Sequence, residues 1–277
     1  MLRIVVRDLA RTPPLAGFCA GFERGRWRAD ALADFLLDNL PDFCLSYREL
    51  QLVNSSTMVP LIRKAAQRVY DTDKFKRRGE FGELLLHVIL KHFIGTLPAI
   101  SKIYYKDSAN DTVKGFDAVH VVPLAHGSGG LELWLGEVKF YKNIVDAIDA
   151  VVPELWDHTS TEFLKSEFYA IKNKIDDDWP HAEQLKGLLH EHTSLDQVFD
   201  AVCVPVLLTY DSDVTAGHTN YDATYVTALV EEFRGIHRRF AGETLPEIRI
   251  QLFLVPLATK DALVERLHEK LKAWQQI

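Results

Sequence analysis

The chain contains 277 residues, of which 47% are hydrophobic and 26% are charged, and it carries a formal net charge of −7 at pH 7. This composition is typical of a globular protein and excludes a disordered or fibrous chain. No apolar run approaches the ~18 residues of a membrane span, and the N-terminal stretch is too short and too charged for a signal peptide, so we expect no membrane association. The three cysteines are widely spaced, which argues against a disulfide framework or a cysteine zinc site and favours a cytoplasmic protein.

The charge is unevenly distributed along the chain. Residues 1–100 carry 15 Lys and Arg against 11 Asp and Glu, whereas residues 101–277 carry 17 against 28. An acidic total argues against binding nucleic acid through bulk charge, but it permits a local basic surface. The most basic stretch, residues 63–78, is either a solvated helix face and turn or a patch that contacts phosphate groups. Its last four cations are the candidate phosphate contacts: Lys74, Lys76, Arg77 and Arg78.

The N-terminal part of the chain is predicted to be mainly helical. Residues 2–8 are typical of a short strand. Residues 29–40 space their apolar side chains at helical intervals and are followed by Pro41, and residues 56–70 predict another helix. We therefore predict an α-rich N-terminal addition over residues 1–78.

From residue 79 onward the pattern predicts a mixed α/β core. Residues 80–94 predict a buried helix with a broad apolar face. Three β-type segments follow at 100–106, 115–123 and 131–141, and a glycine-rich turn between the last two favours an antiparallel hairpin.

The second half of the chain is predicted to be largely helical. The nearly all-apolar segment 200–209 predicts a strand buried on both faces, although Pro205 is unusual in such a strand. The other predicted elements are helices at 143–151, 160–175, 181–191, 221–239 and 260–274, and a strand at 247–257.

Several common catalytic motifs are missing from the sequence. There is no GxxxxGK[ST] phosphate-binding loop, no GxGxxG after a strand, no HExxH zinc pair and no GxSxG nucleophile elbow. His87 and His92 are five residues apart, which is a poor helical spacing for a shared metal ion. We expect the histidines to be hydrogen-bonded or solvated side chains.

One group of charged residues has a spacing that predicts a metal site. Glu137 and Lys139 share one face of the predicted strand 131–141, whose other members on that face are mostly apolar, and Asp117 lies on the neighbouring strand. Two carboxylates that converge at one sheet edge repel each other unless a cation lies between them. With the backbone carbonyl of Val138, they form an incomplete oxygen shell that suits Mg²⁺ or Mn²⁺ and leaves room for a substrate phosphate.

A carboxylate on the preceding helix can complete this site, and Lys139 can align or deprotonate an attacking water. Glu83 and Glu80 compete for the helix position. Gly82 favours Glu83, because a glycine inside a helix costs ~1 kcal/mol relative to alanine and indicates the close approach of a strand backbone or a DNA phosphate. The structural alternative is an ion-paired strand end in which Asp117 only caps a turn.

This order of helix Glu, strand Asp and strand Glu-x-Lys resembles the PD-(D/E)XK nuclease superfamily, although the first motif reads Gly-Phe-Asp. The resemblance implies a restriction-endonuclease-like α/β core, a mixed central sheet flanked by helices, over about residues 79–210. A C-terminal extension, 211–277, would complete a nuclease domain spanning 79–277. The resemblance also implies specific roles, with metal ligands at Asp117, Glu137 and Glu83 and a catalytic lysine at Lys139.

Three longer segments resemble a narrower family, the HamA nuclease subunits of the Hachiman antiphage system. They are RRGEFGELLLHVIL at 77–90, KGFDAVHVV at 114–122 and LGEVKFYKN at 135–143. The resemblance implies a bacterial, cytoplasmic defence effector that degrades DNA with little sequence preference and works with HamB, a superfamily 2 helicase. The acidic charge of the chain suits an arrangement in which the helicase captures the DNA. The competing interpretation is a non-catalytic DNA-binding or scaffolding subunit that retains the nuclease fold.

Overall fold

A computed structural model of the chain describes residues 2–69, 79–101, 115–124, 130–190 and 192–277. The basic candidates at 74–78, the greater part of the predicted strand 100–106 and the glycine-rich turn at 125–129 lie outside the described residues.

The strands of the described residues are β1 (Arg3–Asp8), β2 (Leu15–Cys19), β3 (Phe22–Glu23), β4 (Arg26–Trp27), β5 (Leu97–Pro98), β6 (Ala118–Pro123), β7 (Leu131–Phe140), β8 (Val202–Asp211) and β9 (Arg249–Leu257). The helices are α1 (Ala29–Leu37), α2 (Leu40–Cys44), α3 (Tyr47–Gln51), α4 (Met58–Arg68), α5 (Glu80–Ile89), α6 (Ile144–His158), α7 (Thr161–Lys174), α8 (Ala182–Leu188), α9 (Leu195–Ala201), α10 (Asp213–Ala216), α11 (Ala223–Ala241) and α12 (Lys260–Gln276). A π-helical turn, Leu90–Ile94, continues α5.

A seven-stranded mixed sheet forms the centre of the molecule, in the order β1-β2-β9-β8-β7-β6-β5. Strand β6 is antiparallel to both of its neighbours, β5 and β7, whereas β7, β8, β9 and β2 run parallel. The predicted hairpin is therefore confirmed as the β6–β7 pair, and the predicted mixed sheet flanked by helices is confirmed as well.

The sheet also includes strands from the N-terminal part of the chain. Strand β1 matches the predicted strand at 2–8, but β2 is absent from the sequence prediction. Strand β2 pairs in parallel with β9, with Leu15 opposite Leu252. The segment 1–78 is therefore helical over α1–α4, as predicted, but it also shares a sheet with the C-terminal extension. The domain boundary at residue 78 stays a prediction.

The two prolines that the sequence analysis singled out both lie inside regular elements. Pro41 does not follow a single helix over 29–40, because α1 ends at residue 37 and Pro41 lies in the first turn of α2, where its missing amide hydrogen is tolerated. Pro205 lies within β8, which is a central strand as predicted. The β7–β8 ladder has the same register on both sides of it, at Trp134–Cys203 and at Glu137–Val206.

Each face of the sheet packs against its own layer of helices. On β7, Trp134, Val138 and Phe140 belong to the core that includes α1, α5 and α12. The alternate residues Leu133 and Leu135 belong to the core that includes α6, α7 and α11. The predicted strand alternation is confirmed, and it directs Glu137 and Lys139 toward the α6 layer.

Candidate active site

The side chain of Asp117 is fixed at the start of the hairpin. Its backbone amide donates to the carbonyl of Gly136 at 2.7 Å, and its Oδ2 accepts a hydrogen bond from the backbone amide of Val138 at 2.9 Å. The amide and carbonyl of one strand residue point to the same side of the strand, so the Val138 carbonyl also faces the Asp117 side. This arrangement brings together two of the predicted oxygen ligands.

Glu137 lies next to this contact and is almost completely buried, with 1% of its surface exposed. Its Oε1 forms a short contact with Nδ1 of His158. The pKa of Glu137 is raised to about 7. Burial is the main cause and the negative charge of Asp117 contributes, whereas the contact with His158 and the charge of Lys139 oppose the rise. Two carboxylates therefore interact here inside the protein, as the sequence predicts.

Lys139 follows Glu137 on the same face of β7 and is also buried, at 9% exposed. Its Nζ pairs with Oε2 of Glu154, whose side chain is 43% exposed. The partner carboxylate is thus closer to solvent than the ammonium that it holds.

Glu154 and His158 both come from α6, four residues apart, and sequence reasoning missed both. The predicted helix stopped at residue 151, whereas α6 continues to residue 158 and contains Pro153. The available signal was a Glu and a His at i, i+4 spacing shortly after the strand Glu-x-Lys, since such a pair lies on one side of a helix.

The imidazole of His158 is held between aromatic rings. It stacks on Phe163 with ring centroids 4.3 Å apart and meets the ring of Phe116 edge-on at 5.4 Å. Burial lowers the pKa of His158, but the contact with Glu137 and the neighbouring carboxylates outweigh it, so the pKa is raised.

The helix carboxylates lie on α5, which packs on the other face of the sheet. A Cβ at Gly82 would lie 2.8 Å from Cβ of Phe140 and 3.1 Å from Cγ2 of Val138. The predicted close approach at this glycine therefore exists, but side chains of β7 make it, and not a strand backbone. Glu83 is buried and Glu80 is half-buried. The assignment of Glu83 as a ligand stays a prediction, and Glu80 remains its competitor.

The donor set fits a small divalent cation that keeps several waters. Among the described residues, no three His, Cys, Asp or Glu side chains converge closely enough to hold a metal ion by themselves. Mg²⁺ does not require such a cage, since it is usually bound through one or two carboxylates together with water and substrate phosphate. Asp117, Glu137 and the Val138 carbonyl meet that requirement.

A different carboxylate–histidine contact lies on the α5 face, and we call it the Asp42 network. Asp42 Oδ2 lies 2.9 Å from Nε2 of His87 and 2.8 Å from Nζ of Lys91. The network continues from His87 Nδ1 to His120 Nε2 at 3.2 Å, and from His120 Nδ1 to the hydroxyl of Thr96 at 2.7 Å. His87 is thus hydrogen-bonded, as predicted. A cavity of about 400 Å³ beside β6 is lined by members of this network and by Asp117.

The comparison with known families decides the affiliation of the chain. The family model for HamA matches residues 4–271. The chain belongs to the HamA family. Membership in this family suggests a role in antiphage defence. No curated protein matches the sequence. In the parts of this HamA-family chain that the structure describes, no helix is both long and apolar enough to cross a bilayer.

Proposed function

We propose that this HamA-family protein is a metal-dependent DNA nuclease. It hydrolyses phosphodiester bonds with little sequence preference, and it is the effector of an antiphage defence complex that includes a HamB-like superfamily 2 helicase. The observation that carries this proposal is the convergence of Asp117, Glu137 and Lys139 at one end of the β6–β7 hairpin. A purely structural strand end has no need for two carboxylates that raise each other's energy.

Asp117, Glu137 and the carbonyl of Val138 would hold Mg²⁺ or Mn²⁺, with Glu83 as a further carboxylate for the ion or its water. When bound, the ion supplies charge stabilisation for the phosphate and lowers the pKa of a coordinated water.

The side chains of the protein itself have separate tasks in this proposal. The amide of Val138 fixes the direction of the Asp117 carboxylate, so little reorganisation is needed when substrate arrives. Lys139 reaches the same face as Glu137, where its ammonium can bind the attacking water and offset the charge that builds on the phosphate. The surrounding burial strengthens both interactions, because water screens them poorly there.

The overall charge supports a partner-dependent enzyme. A net charge of −7 opposes tight, independent binding to DNA. A helicase that holds the DNA would remove the need for a broad basic groove on the nuclease.

The competing function is a scaffold that keeps the fold without catalysis. The observation in its favour is that Lys139 and Glu137 both have partners within the protein, Glu154 and His158, as a structural ion-pair cluster would.

Plasmid degradation by the purified protein, alone and with its helicase, distinguishes the two functions. We expect cleavage with Mg²⁺, and we expect Lys139→Ala and Glu137→Gln to lose at least ~10²-fold in rate. Asp149→Asn is the matched control, since Asp149 is an exposed carboxylate of α6 that pairs with Arg239. Normal cleavage by Lys139→Ala, or an inactive wild-type complex, would favour the scaffold.

A further inference from the structure

We infer that α6 controls the charges of the proposed site through Glu154 and His158. In this inference His158 orients the Glu137 carboxylate toward the metal, and Glu154 keeps the Lys139 ammonium away from that carboxylate. The inference rests on the proposed nuclease function and adds two positioning residues to it.

The first support is the shared origin of the two contacts. Glu154 and His158 are one helical turn apart, so they project from the same side of α6. Between them Leu155 is fully buried, in the same core as Leu135 of β7 and Val206 of β8. One rigid element therefore contacts both charged residues of the strand Glu-x-Lys.

The second support is the fixed direction of the His158 ring. The stacking on Phe163 and the edge contact with Phe116 leave the imidazole little freedom to turn. Its Nδ1 engages Oε1 of Glu137, so we assign Oε2 to the metal. Hydrogen bonds to a ligating carboxylate are a common feature of metal sites, and their loss typically weakens metal affinity or activity ~10–100-fold.

The third support is the position of Lys139 relative to the two carboxylates. Lys139 is two residues from Glu137 on the same strand face, so its long side chain can pair either with Glu137 or with Glu154. Pairing with Glu137 would bring the ammonium to Oε2, the oxygen that this inference assigns to the metal. The structure shows the other pairing, with Glu154.

The first experiment measures Mn²⁺ binding by titration calorimetry on the full-length protein, without substrate. His158→Leu removes the donor, whereas His158→Asn keeps an amide nitrogen close to the position of Nδ1. We expect His158→Leu to weaken Mn²⁺ binding ~10–100-fold and His158→Asn to restore most of the affinity. Asp149→Asn, on the same helix, should bind Mn²⁺ like the wild type.

The second experiment tests the separation of charges with a double-mutant cycle. In Glu154→Gln, Lys139 loses its anionic partner and can turn to Glu137, so we expect weaker Mn²⁺ binding. Removing the ammonium as well, in Glu154→Gln with Lys139→Met, should restore the affinity. A purely structural role of Glu154 would not show this rescue, because the second substitution would add damage.

The outcomes separate this inference from the proposed function. Mn²⁺ binding that is equal in the wild type and His158→Leu overturns the role of His158, and a double variant as weak as Glu154→Gln overturns the role of Glu154. In both cases the nuclease proposal stands. A wild-type protein that binds no Mn²⁺ overturns both. Thermal unfolding of each variant by circular dichroism identifies any that do not fold. If His158→Leu does not fold, His158→Phe replaces it, because a phenyl ring keeps the stacking on Phe163 and removes the donor, and the same ~10–100-fold loss is expected.

Discussion

Two carboxylate–histidine contacts lie on opposite faces of the sheet, and their carboxyl groups differ in charge balance. Glu137 meets His158 on the α6 face, and its pKa is raised to about 7. Asp42 meets His87 on the α5 face, and its pKa is lowered even though burial alone would raise it. The histidine lowers the pKa of the carboxyl group in both contacts, so the opposite net shifts come from the other surroundings of each carboxyl group.

The deeper burial of Glu137 and the charges around each carboxyl group account for this difference. Asp42 is one carboxylate between His87 and Lys91, so its charge is compensated inside the protein. Among the described residues that interact at the candidate active site, the carboxylates are Asp117, Glu137 and Glu154, whereas the cationic groups are Lys139 and His158. The Asp42 network thus has the charge balance of a structural contact. The candidate active site has an excess of negative charge that a divalent cation would neutralise.

Removal of the metal should have the largest effect on DNA cleavage. We expect DNA cleavage by the proposed nuclease–helicase complex in Mg²⁺ or Mn²⁺ and its loss in EDTA, because the proposed site takes its catalytic cation from solution. Ca²⁺ should bind but support little turnover, since its longer and looser coordination positions the water poorly. Gel analysis of plasmid breakdown measures this, and full cleavage in EDTA would disprove the metal mechanism.

The next prediction compares how one substitution in the Asp42 network and one in the candidate active site change the free energy of unfolding. Asp42→Asn should lower the free energy of unfolding by ~1–3 kcal/mol, because it leaves charged and polar partners unsatisfied in a partly buried site. Glu137→Gln should leave the metal-free protein equally stable or more stable, since it removes repulsion between carboxylates. Urea unfolding in EDTA measures both, with Asp149→Asn as the exposed control. A loss of stability in Glu137→Gln as large as in Asp42→Asn would mean that both regions are structural.

The pH dependence of stability provides a smaller effect. Folding lowers the pKa of Asp42, so its ionised form stabilises the folded state at every pH above the unfolded value of ~3.9. This contribution is lost as the pH falls through the lower pKa of the folded state. The stability difference between the wild type and Asp42→Asn should therefore be present at pH 5 and shrink below about pH 4. Urea midpoints across this pH range measure the stability difference between the two proteins. A stability difference that does not change with pH would exclude the ion pair as its source.

The central part of the site follows from local sequence rules. Strand alternation places Glu137 and Lys139 on one face, and a hairpin between two β-type segments places Asp117 beside them. Both statements depend only on residues close together in the sequence. The longer helices follow in the same way from the 3.6-residue spacing of apolar side chains, whereas the short helices α2, α3, α9 and α10 were not predicted.

The contacts that the sequence did not predict depend on long-range packing. Strand β2 is a short apolar segment whose partner, β9, lies more than 200 residues away, and no local signal specifies a parallel pairing of that kind. Glu154 and His158 were missed because Pro153 is typical of a helix end. Their contacts with β7 depend on how α6 lies on the sheet, which the spacing of the residues does not determine.

The smallest expected effect concerns Glu83 on α5. This helix carries His87 of the Asp42 network and packs against β7 of the candidate active site. Glu83 is four residues before His87 on α5, so it projects from the same side of that helix as a member of the Asp42 network. The packing of Gly82 against Val138 also brings its helix next to the strand of the candidate active site. We expect Glu83→Ala to reduce plasmid cleavage several-fold and more than Glu80→Ala, because Glu83 is the more buried carboxylate. Urea unfolding of both variants separates this effect from a loss of stability. If Glu80→Ala reduced cleavage as much as Glu83→Ala or more, Glu83 would be a structural residue. Asp117, Glu137 and Lys139 would then remain as the proposed catalytic set.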